Sequence, residues 1–463
     1  MHGPRRDGFV TLAMGLLSLV PRLYVALAWA REPVWDGHYY DFGARRIAQG
    51  FGYSDDIVIG GVEVWHPWCH YPVGYSGFLA GLYGLFGAGQ YVAPVANAVM
   101  GALIVMVTHR IALQWLSRWR AVLAAGLCAV NLELIFYSPL VMTEVLATLG
   151  PLVAIWAVIA GRRTRPWLGA ALGGIALGLS TLVHPQTIVL APVLGYVAVD
   201  AARSKLHKLA AVGIVSVAAL AVVAPWTYRN CRVMDGCAFV STNGGWNLAI
   251  GSFPRATGRF ETLRAADGCR VVTGQVQQDR CWAKVGMQHI RNDPWRWLGL
   301  APKKLGFCFD HASFPVEYLR QADPGAWPEP VRVGWRHALT GMHRVLLSVA
   351  AFGFIAWPLR SRRAVLTETA LRATVGGLVA YGWWADVPTF WPLALAIVLT
   401  GALPRRSAPR VGAVGVVIVA SFVLFIATHI VFFGEDRYRV PLVPLMCLLA
   451  AAVGRDSHRA SPD

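Results

Sequence analysis

The sequence predicts an all-α, multi-pass membrane protein with about twelve transmembrane helices and two large loops on one side of the membrane. Of its 463 residues, 56% are hydrophobic and only 14% are charged, whereas soluble domains carry about 25% charged residues. Apolar stretches close to the length that crosses a bilayer recur along the chain. Short clusters of basic residues separate them, so the pattern is not that of a soluble domain.

The net charge of the chain is strongly positive. There are 42 Lys and Arg residues against 25 Asp and Glu residues, which gives a formal charge of +17. In a soluble protein this balance would suggest a nucleic-acid partner. Here the basic residues lie between apolar runs, where they set the orientation of membrane spans. We therefore expect membrane lipids as surroundings and no nucleic acid as partner.

The basic clusters mark the cytoplasmic side, and an even number of spans must separate two such markers. The first stretch resembles a signal peptide in part, but its length and the Arg22 within it favour a retained helix. The segment 75–86 is expected to lie along the membrane interface. Counting by parity predicts twelve spans in 9–30, 92–108, 122–160 (two, turning at 131–139), 168–199 (two, broken near His184-Pro185), 210–226, 338–357, 371–403 (two, broken near Asp386-Pro388), 411–433 and 440–453.

This topology places both termini in the cytoplasm and two large loops, 31–72 and 228–337, outside a plasma (inner) membrane. The chain then divides into an N-terminal transmembrane catalytic module (1–227, with the first loop), an extracytoplasmic region (228–337) and a C-terminal transmembrane module (338–463). Neither loop is long enough to be an independent catalytic domain. A site is therefore expected where the loops meet the helix ends, facing the periplasm or outside.

Six of the eight cysteines fall in the two outside loops, which indicates an oxidising compartment. We predict local disulfides between Cys231 and Cys237 and between Cys269 and Cys281, with Cys69–Cys308 as a candidate link between the loops. Six cysteines allow fifteen connectivities, so spacing alone does not fix the pairing. No CxxC pattern is present, so a thiolate zinc site is not expected.

The first loop opens with the sequence WDGHYYD, directly after a predicted span. A carboxylate at Asp36 would be partly desolvated there and could serve as a general base. The alternative is an interfacial aromatic belt, with Tyr39 and Tyr40, that carries an incidental acid. Further along, His66 and His70 could bind a metal or a phosphate, although His66 alone is better explained by lipid headgroups.

Two further groups of polar residues lie at the outer ends of predicted spans. Glu144 begins the fourth span, where an ionisable residue is costly and often functional; Glu133 is a weaker rival. Arg437 and Arg439 lie on the side where arginine is disfavoured, which suggests an anionic partner such as a phosphate. Local pairing with Glu435 and Asp436 is the alternative.

Together these motifs resemble the polytopic glycosyltransferases of the C-type (GT-C) fold, in the bacterial branch akin to protein O-mannosyltransferases and the aminoarabinose transferase. WDGHYYD is similar to that family's acidic motif Asp-Glu-x-x-Tyr-Tyr, with Gly37 in place of the second acid. Tyr71 to Gly87 (YPVGYSGFLAGLYGLFG), SPLVMTE ending at Glu144, and RYRVPLVPLMCLLAA from Arg437 match further family segments. The resemblance covers nearly the whole chain.

The resemblance implies transfer, with inversion, of a hexose or pentose from a polyprenyl-phosphate donor to a glycan, lipid or protein acceptor. The catalytic residues would be Asp36, as the base that deprotonates the acceptor hydroxyl, and Glu144. Arg437, Arg439 and His70 would bind the donor phosphate. Tyr39, Tyr40 and Tyr71 would contact substrate. No cofactor is required, although a divalent metal is compatible. The alternatives are a transporter or flippase of lipid-linked glycans, which predicts inverted repeats, and a non-catalytic scaffold.

Overall fold

The computed structural model describes residues 3–56, 58–269, 274–357, 362–385, 389–404 and 411–455, and it is built almost entirely of helices. The N-terminal part contains ten of them: α1 (Gly3–Ala28), α2 (Asp36–Ala48), α3 (Val73–Phe86), α4 (Val92–Ala112), α5 (Arg118–Ala129), α6 (Leu132–Phe136), α7 (Glu144–Gly161), α8 (Pro166–Val183), α9 (Ala191–Val197) and α10 (Lys205–Val233).

Shorter helices fill the second loop, and five more follow it. The loop contains α11 (Gly244–Ile250), α12 (Gln275–Asn292), α13 (Pro294–Gly299), α14 (Ala301–Phe309) and α15 (Phe314–Ala322). The C-terminal part contains α16 (Glu329–Ala350), α17 (Arg362–Trp384), α18 (Trp391–Ala402), α19 (Gly412–Val431) and α20 (Val443–Ala452). Three 3-10 helices span Pro185–Leu190, Ala265–Asp267 and Asp436–Leu442.

The only regular strands in the described residues form two small antiparallel pairs in the first loop. Strand β1 (Ser54–Asp55) pairs with β4 (His66–Pro67), and β2 (Val58–Ile59) pairs with β3 (Val62–Glu63). The pairing places Asp55 opposite His66, whose Nδ1 lies 3.0 Å from both carboxylate oxygens. This contact holds His66 within the first loop.

The prediction of an all-α, multi-pass membrane protein is confirmed. Six helices in the described residues are long and apolar enough to cross a bilayer: Arg5–Ala28, Val92–Ala112, Glu144–Gly161, Pro166–Val183, Lys205–Val233 and Gly412–Val431. The other six predicted spans each contain a helix that is shorter or more polar. The count of twelve therefore stays a prediction.

The predicted break after the fifth span is present, because α8 ends at Val183 and a 3-10 helix starts at Pro185. Proline lacks the N–H that would continue the α-helical hydrogen bonding. The predicted break near Asp386-Pro388 lies outside the described residues. The module boundaries at 227 and 337 fall inside α10 and α16, because both helices continue past their apolar segments into the loop.

Arg22 in α1 is buried, and its guanidinium caps the C-terminal end of another helix, α5. It donates to the carbonyls of Cys128 and Ala129 at the end of α5, at 3.1 and 2.9 Å. These carbonyls have no partner within their own helix. A charged residue inside the first span is therefore accounted for by helix packing.

The core of the bundle surrounds α20, whose ten residues are all buried. It packs against α4, α5 and α16 and follows directly on the 3-10 helix Asp436–Leu442. That 3-10 helix in turn contacts α7, α14 and α15. The polar sequence of residues 435–439 is thus held by the rigid centre of the protein, at the end where the loops meet the helices.

Both predicted local disulfides are present, Cys231–Cys237 and Cys269–Cys281. The predicted link between Cys69 and Cys308 is wrong, since both are buried free thiols. Cys69 lies against Thr242, with its Sγ 4.0 Å from the threonine Oγ1. Cys308 is at the end of α14, next to Gly434. The two outside loops are joined instead by polar contacts, including one from the Cys69 backbone N–H to Gln275 at 3.0 Å.

Candidate active site

An ion pair between Asp36 and Arg437 is the centre of the candidate site. Arg437 Nη1 lies 2.6 Å from Asp36 Oδ2, although 401 residues separate the two in the chain. The Tyr71 hydroxyl donates to the other carboxylate oxygen of Asp36 at 2.8 Å. Three of the residues selected from the sequence motifs are therefore brought together by the fold. The side chain of Asp36 remains 24% exposed, so a substrate can reach it.

Asp36 is the first residue of α2, and the residue before it stops the helix from starting earlier. Trp35 has a φ of 50°, a left-handed conformation that costs a bulky residue about 1–3 kcal/mol. Its ring packs against Phe314 and Tyr318 of α15, with centroids at 5.6 and 5.8 Å. These contacts hold the turn that points Asp36 at Arg437. A carboxylate at this end of a helix is also favoured by the helix dipole.

Gly37, which stands where the resembling family has a second acid, leaves no room for a side chain. A Cβ at this position would lie 2.4 Å from the Tyr318 hydroxyl and 2.6 Å from the Val141 carbonyl oxygen. The N-terminus of α2 is thus packed tightly onto α15 and onto the turn before α7. The carboxylate at Asp36 has no acidic neighbour in the next position of its helix.

Two opposing effects set the protonation of Asp36. Burial alone would raise its pKa, but the Arg437 charge and hydrogen bond and the Tyr71 hydrogen bond together hold the pKa below its usual range. Asp36 is therefore ionised at neutral pH. An ionised carboxylate can accept a proton, but this ion pair also weakens it as a base.

Arg437 lies between two carboxylates and an aromatic ring. Its Nε is 2.9 Å from Glu435 Oε2, and its guanidinium carbon lies 4.8 Å from the centre of the Phe314 ring. Asp436 fixes that ring by accepting hydrogen bonds from the backbone N–H groups of Ser313 and Phe314. From the sequence, Glu435 and Asp436 are expected only as local partners of the arginines. In the structure Glu435 pairs with Arg437, whereas Asp436 accepts hydrogen bonds from the backbone at the start of α15.

Arg439 is not part of this cluster. Its side chain is fully buried, and Nη1 lies 2.9 and 2.7 Å from the two carboxylate oxygens of Glu133. Its Nη2 donates to the His311 carbonyl at 2.9 Å. Residues two apart in a 3-10 helix point in different directions, because each residue turns the helix by a third of a circle. The structure therefore gives no support to Arg439 as a phosphate ligand.

The Glu133–Arg439 pair leads to a prediction about stability. Replacing Glu133 with Gln leaves the buried Arg439 charge without its counterion, which should lower the free energy of unfolding by about 3–5 kcal/mol. Denaturant titration of the purified protein in detergent measures this loss. The control is Glu329→Gln, which removes an exposed ion pair with Arg332 and should cost under about 1 kcal/mol. Equal stability of the two variants would contradict the assigned role of Glu133.

The other predicted substrate residues surround Tyr71. The His70 ring packs edge-on against the rings of Tyr71 and Trp246, at 5.0 and 5.5 Å. Burial lowers the pKa of His70, and the nearby Asp36 charge only partly opposes this. Tyr40 is buried beneath Tyr71 with its ring 5.3 Å away. Tyr39 is 46% exposed, so of the two neighbouring tyrosines only Tyr39 presents its ring to a substrate.

Glu144 is the first residue of α7 and is buried on the inner side of the cluster. It lies within electrostatic reach of Arg437, Asp36 and Glu435, and its Oε2 has no hydrogen-bond partner among the described residues. Its side chain is not open to the outside as that of Asp36 is. Within the described part of the chain, no group of three or more His, Cys, Asp or Glu residues is placed to hold a metal ion.

An apolar groove, here called the α7–α19 groove, is lined in part by Tyr438, the residue after Arg437. It lies between α7, α19 and the two 3-10 helices Pro185–Leu190 and Asp436–Leu442, and its cavity volume is about 80 Å³. Its lining includes Leu152, Phe425 and Leu445. At its mouth the Tyr438 ring stacks on His429 at 5.0 Å, and Arg437 Nη2 donates to the Tyr438 hydroxyl at 3.2 Å. Tyr438 therefore connects the groove to the ion pair.

Part of the chain is similar to a known protein family. Residues 70–228 match the family model described as dolichyl-phosphate-mannose-protein mannosyltransferase. The resemblance inferred from the motifs is confirmed over that stretch, which contains Tyr71 and Glu144 but neither Asp36 nor Arg437. No curated protein matches the chain in sequence.

Two solved structures overlap with almost the whole chain. The archaeal oligosaccharyltransferase AglB from Archaeoglobus fulgidus, in complex with an inhibitory peptide and a dolichol-phosphate, is 14% identical. It covers 96% of this chain and 50% of its own, with a TM-score of 0.49. ArnT from Cupriavidus metallidurans bound to undecaprenyl phosphate is 15% identical. It covers 96% of this chain and 78% of its own, with a TM-score of 0.35. This chain thus spans half the length of the archaeal protein. Because both structural similarities are weak, no residue role is taken from either structure.

Proposed function

We propose that the protein is a glycosyltransferase that moves a sugar, with inversion, from a polyprenyl-phosphate donor to an acceptor outside the cytoplasm. One observation carries the proposal: a hydrogen bond from Arg437 to Tyr438, a residue of the groove lining, links the Asp36–Arg437 ion pair to the apolar α7–α19 groove. A lipid phosphate needs an apolar surface for its chain and a cation for its head, and both meet at this point. The family match over residues 70–228 supports the same donor class.

Donor binding would change the partners of Arg437. The polyprenyl chain lies in the α7–α19 groove, and the phosphate takes a charge-assisted hydrogen bond from the guanidinium in place of Asp36 Oδ2. His70, which is neutral at pH 7, can add a hydrogen bond but no charge. Because Glu435 also contacts Arg437, the guanidinium keeps its position while Asp36 is released.

Release from Arg437 would make Asp36 a stronger base. With the arginine charge compensated by phosphate, the main cause that lowers the pKa of Asp36 weakens, and burial acts in the opposite direction. The site therefore becomes reactive only when the donor is in place. Tyr71 keeps its hydrogen bond to Oδ1 and orients the carboxylate towards the acceptor.

The chemical step follows from these positions. Asp36 takes the proton of an acceptor hydroxyl while that oxygen bonds to the anomeric carbon, and the bond from this carbon to the phosphate oxygen breaks. Attack from the face opposite the phosphate inverts the anomeric centre. Arg437 stabilises the negative charge that develops on the departing lipid phosphate. Glu144 lies close enough to tune Arg437 electrostatically, and in this scheme no metal ion is needed.

The orientation of the site follows from the basic clusters of the sequence. Arg162, Arg163 and Arg165 follow α7, at the end opposite Glu144. If these residues face the cytoplasm, as basic residues between spans prefer, the Asp36 site faces the periplasm or outside of the plasma (inner) membrane. That location agrees with the two disulfides, since both form in the second loop.

The test is transfer by the purified protein in lipid nanodiscs. Polyprenyl-phosphate hexoses and pentoses are supplied with an envelope extract as acceptor, and the free polyprenyl phosphate released is measured by mass spectrometry. Acceptor-dependent release that requires the protein supports the proposal. Envelope glycans from cells with and without the protein then identify the sugar. No release from any donor, together with unchanged envelope glycans, would contradict the proposal.

A further inference from the structure

Three aromatic rings form a partly exposed surface beside Asp36. The Tyr39 ring lies 5.6 Å from Tyr71 and 5.8 Å from Trp68, inclined by only 31° and 33° to them. Trp68 and Tyr71 contact each other edge to face at 5.6 Å, with 64° between their planes, so the three rings form a curved and not a flat arrangement. We call the rings of Tyr39, Trp68 and Tyr71 the aromatic surface. Its Tyr71 hydroxyl bonds directly to Asp36, so whatever rests on the surface lies next to the carboxylate.

The edge of this surface carries polar groups without partners. Among the described residues, neither the Tyr39 hydroxyl nor the Trp68 indole N–H makes a hydrogen bond within the protein. Neighbouring tryptophans differ: the indole N–H of Trp226 donates to the Val240 carbonyl at 2.8 Å, and that of Trp65 to the Phe51 carbonyl at 2.9 Å. The aromatic surface therefore combines exposed ring carbon with two free polar edges.

The aromatic surface and the α7–α19 groove are linked to different members of the ion pair. Asp36 contacts the surface through Tyr71, whereas Arg437 contacts the groove through Tyr438. The groove is apolar and suits a lipid chain. The rings of the aromatic surface suit the apolar face of a ligand, and the Tyr39 hydroxyl and Trp68 N–H suit hydroxyl groups at the rim of that ligand.

We infer that the aromatic surface is the acceptor subsite and that it binds a sugar ring. A pyranose offers an apolar face of C–H groups to aromatic rings, while its hydroxyls can bond to the Tyr39 hydroxyl and the Trp68 N–H. A serine or threonine of a peptide is too small to cover three rings. The inference rests on the proposed function, because it takes Asp36 as the group that receives the acceptor hydroxyl. It narrows the acceptor class to a glycan or a glycolipid.

Binding of a sugar can be measured without any donor or turnover. Methyl α-D-mannopyranoside and a neutral serine-containing tripeptide are each added to the full-length protein in nanodiscs. Saturation-transfer NMR then reports which ligand protons contact the protein. We expect transfer to the ring C–H protons of the glycoside, with binding weakened about tenfold in Tyr39→Ala, the factor that one lost aromatic contact produces. Tyr39→Phe keeps the ring and should retain most of the signal.

Controls separate this result from misfolding and from the donor reaction. Trp295→Ala removes an aromatic side chain that is 80% exposed on α13 and should change nothing. Trp68→Phe tests the indole N–H in case Trp68→Ala does not fold. Equal signals from wild type and Tyr39→Ala, or Tyr39-dependent transfer to the tripeptide instead of the glycoside, would overturn the inference. Either result would overturn the acceptor subsite without affecting the proposed donor reaction. Conversely, failure of the donor-release assay would overturn the proposed function without changing the measured sugar binding.

Discussion

Asp36→Asn should lower the rate of sugar transfer by at least about 100-fold, the lower bound of what general-base catalysis contributes. Asparagine keeps the shape of the side chain and can still accept from Tyr71, but it cannot take a proton. The loss should therefore fall on kcat, while the affinity for the polyprenyl-phosphate donor stays within a few-fold of wild type. Single-turnover transfer and donor binding, measured on the same preparation, separate the two effects.

The matched control is Asp41→Asn on the same helix. Asp41 accepts from Tyr83 at 2.5 Å and pairs with Arg45 at 2.6 Å, away from Arg437. Its replacement should change transfer only mildly, because asparagine can still accept from Tyr83. If Asp36→Asn transferred sugar at a near-normal rate, Asp36 would not be the base. Glu144 would then become the leading candidate.

Arg437→Ala should weaken both donor binding and turnover, with kcat falling by about 10²–10³-fold as for other groups that stabilise an oxyanion. The guanidinium contacts the phosphate both before and during its departure, so the loss does not divide cleanly between KM and kcat. Arg437→Lys should recover part of the activity, because a lysine keeps the charge but not the planar fork of donors. Transfer kinetics over a range of donor concentrations measure both constants.

Removing Arg437 should also move the pH dependence of the remaining activity. Arg437 is the largest of the causes that lower the pKa of Asp36 against the effect of burial. Without it the pKa rises, and the acid limb of the pH–rate profile shifts to higher pH. Arg45→Ala, on the outer face of α2, is the control and should shift nothing. An unchanged acid limb in Arg437→Ala would show that Asp36 is not the titrating base.

The site residues could be selected from the sequence where a motif placed a charge at the end of a predicted span. Asp36, Tyr71 and Arg437 lie in three distant motifs, and the fold joins them by hydrogen bonds. Arg439 could not be separated from Arg437 in this way, since only the 3-10 geometry of the segment points them apart. Nor could the sequence reveal that Tyr318 and Val141 fill the space beside Gly37.

The fold class followed from composition, but the number of spans did not. Helix α20 is buried at every residue and only ten residues long, so apolar composition does not distinguish a core helix from a membrane span. The prediction of a Cys69–Cys308 disulfide was wrong for a related reason. Loop membership places two cysteines on one side of the membrane, but not within bonding distance of each other.

A structure of the protein with a polyprenyl phosphate bound tests the central claim most directly. The measurement is the distance from the phosphate oxygens to the Arg437 guanidinium and from that guanidinium to Asp36. We predict a phosphate within about 3 Å of Arg437, its lipid chain in the α7–α19 groove, and an Asp36 carboxylate released from the 2.6 Å contact. A phosphate bound elsewhere, with the Asp36–Arg437 ion pair intact, would contradict the account.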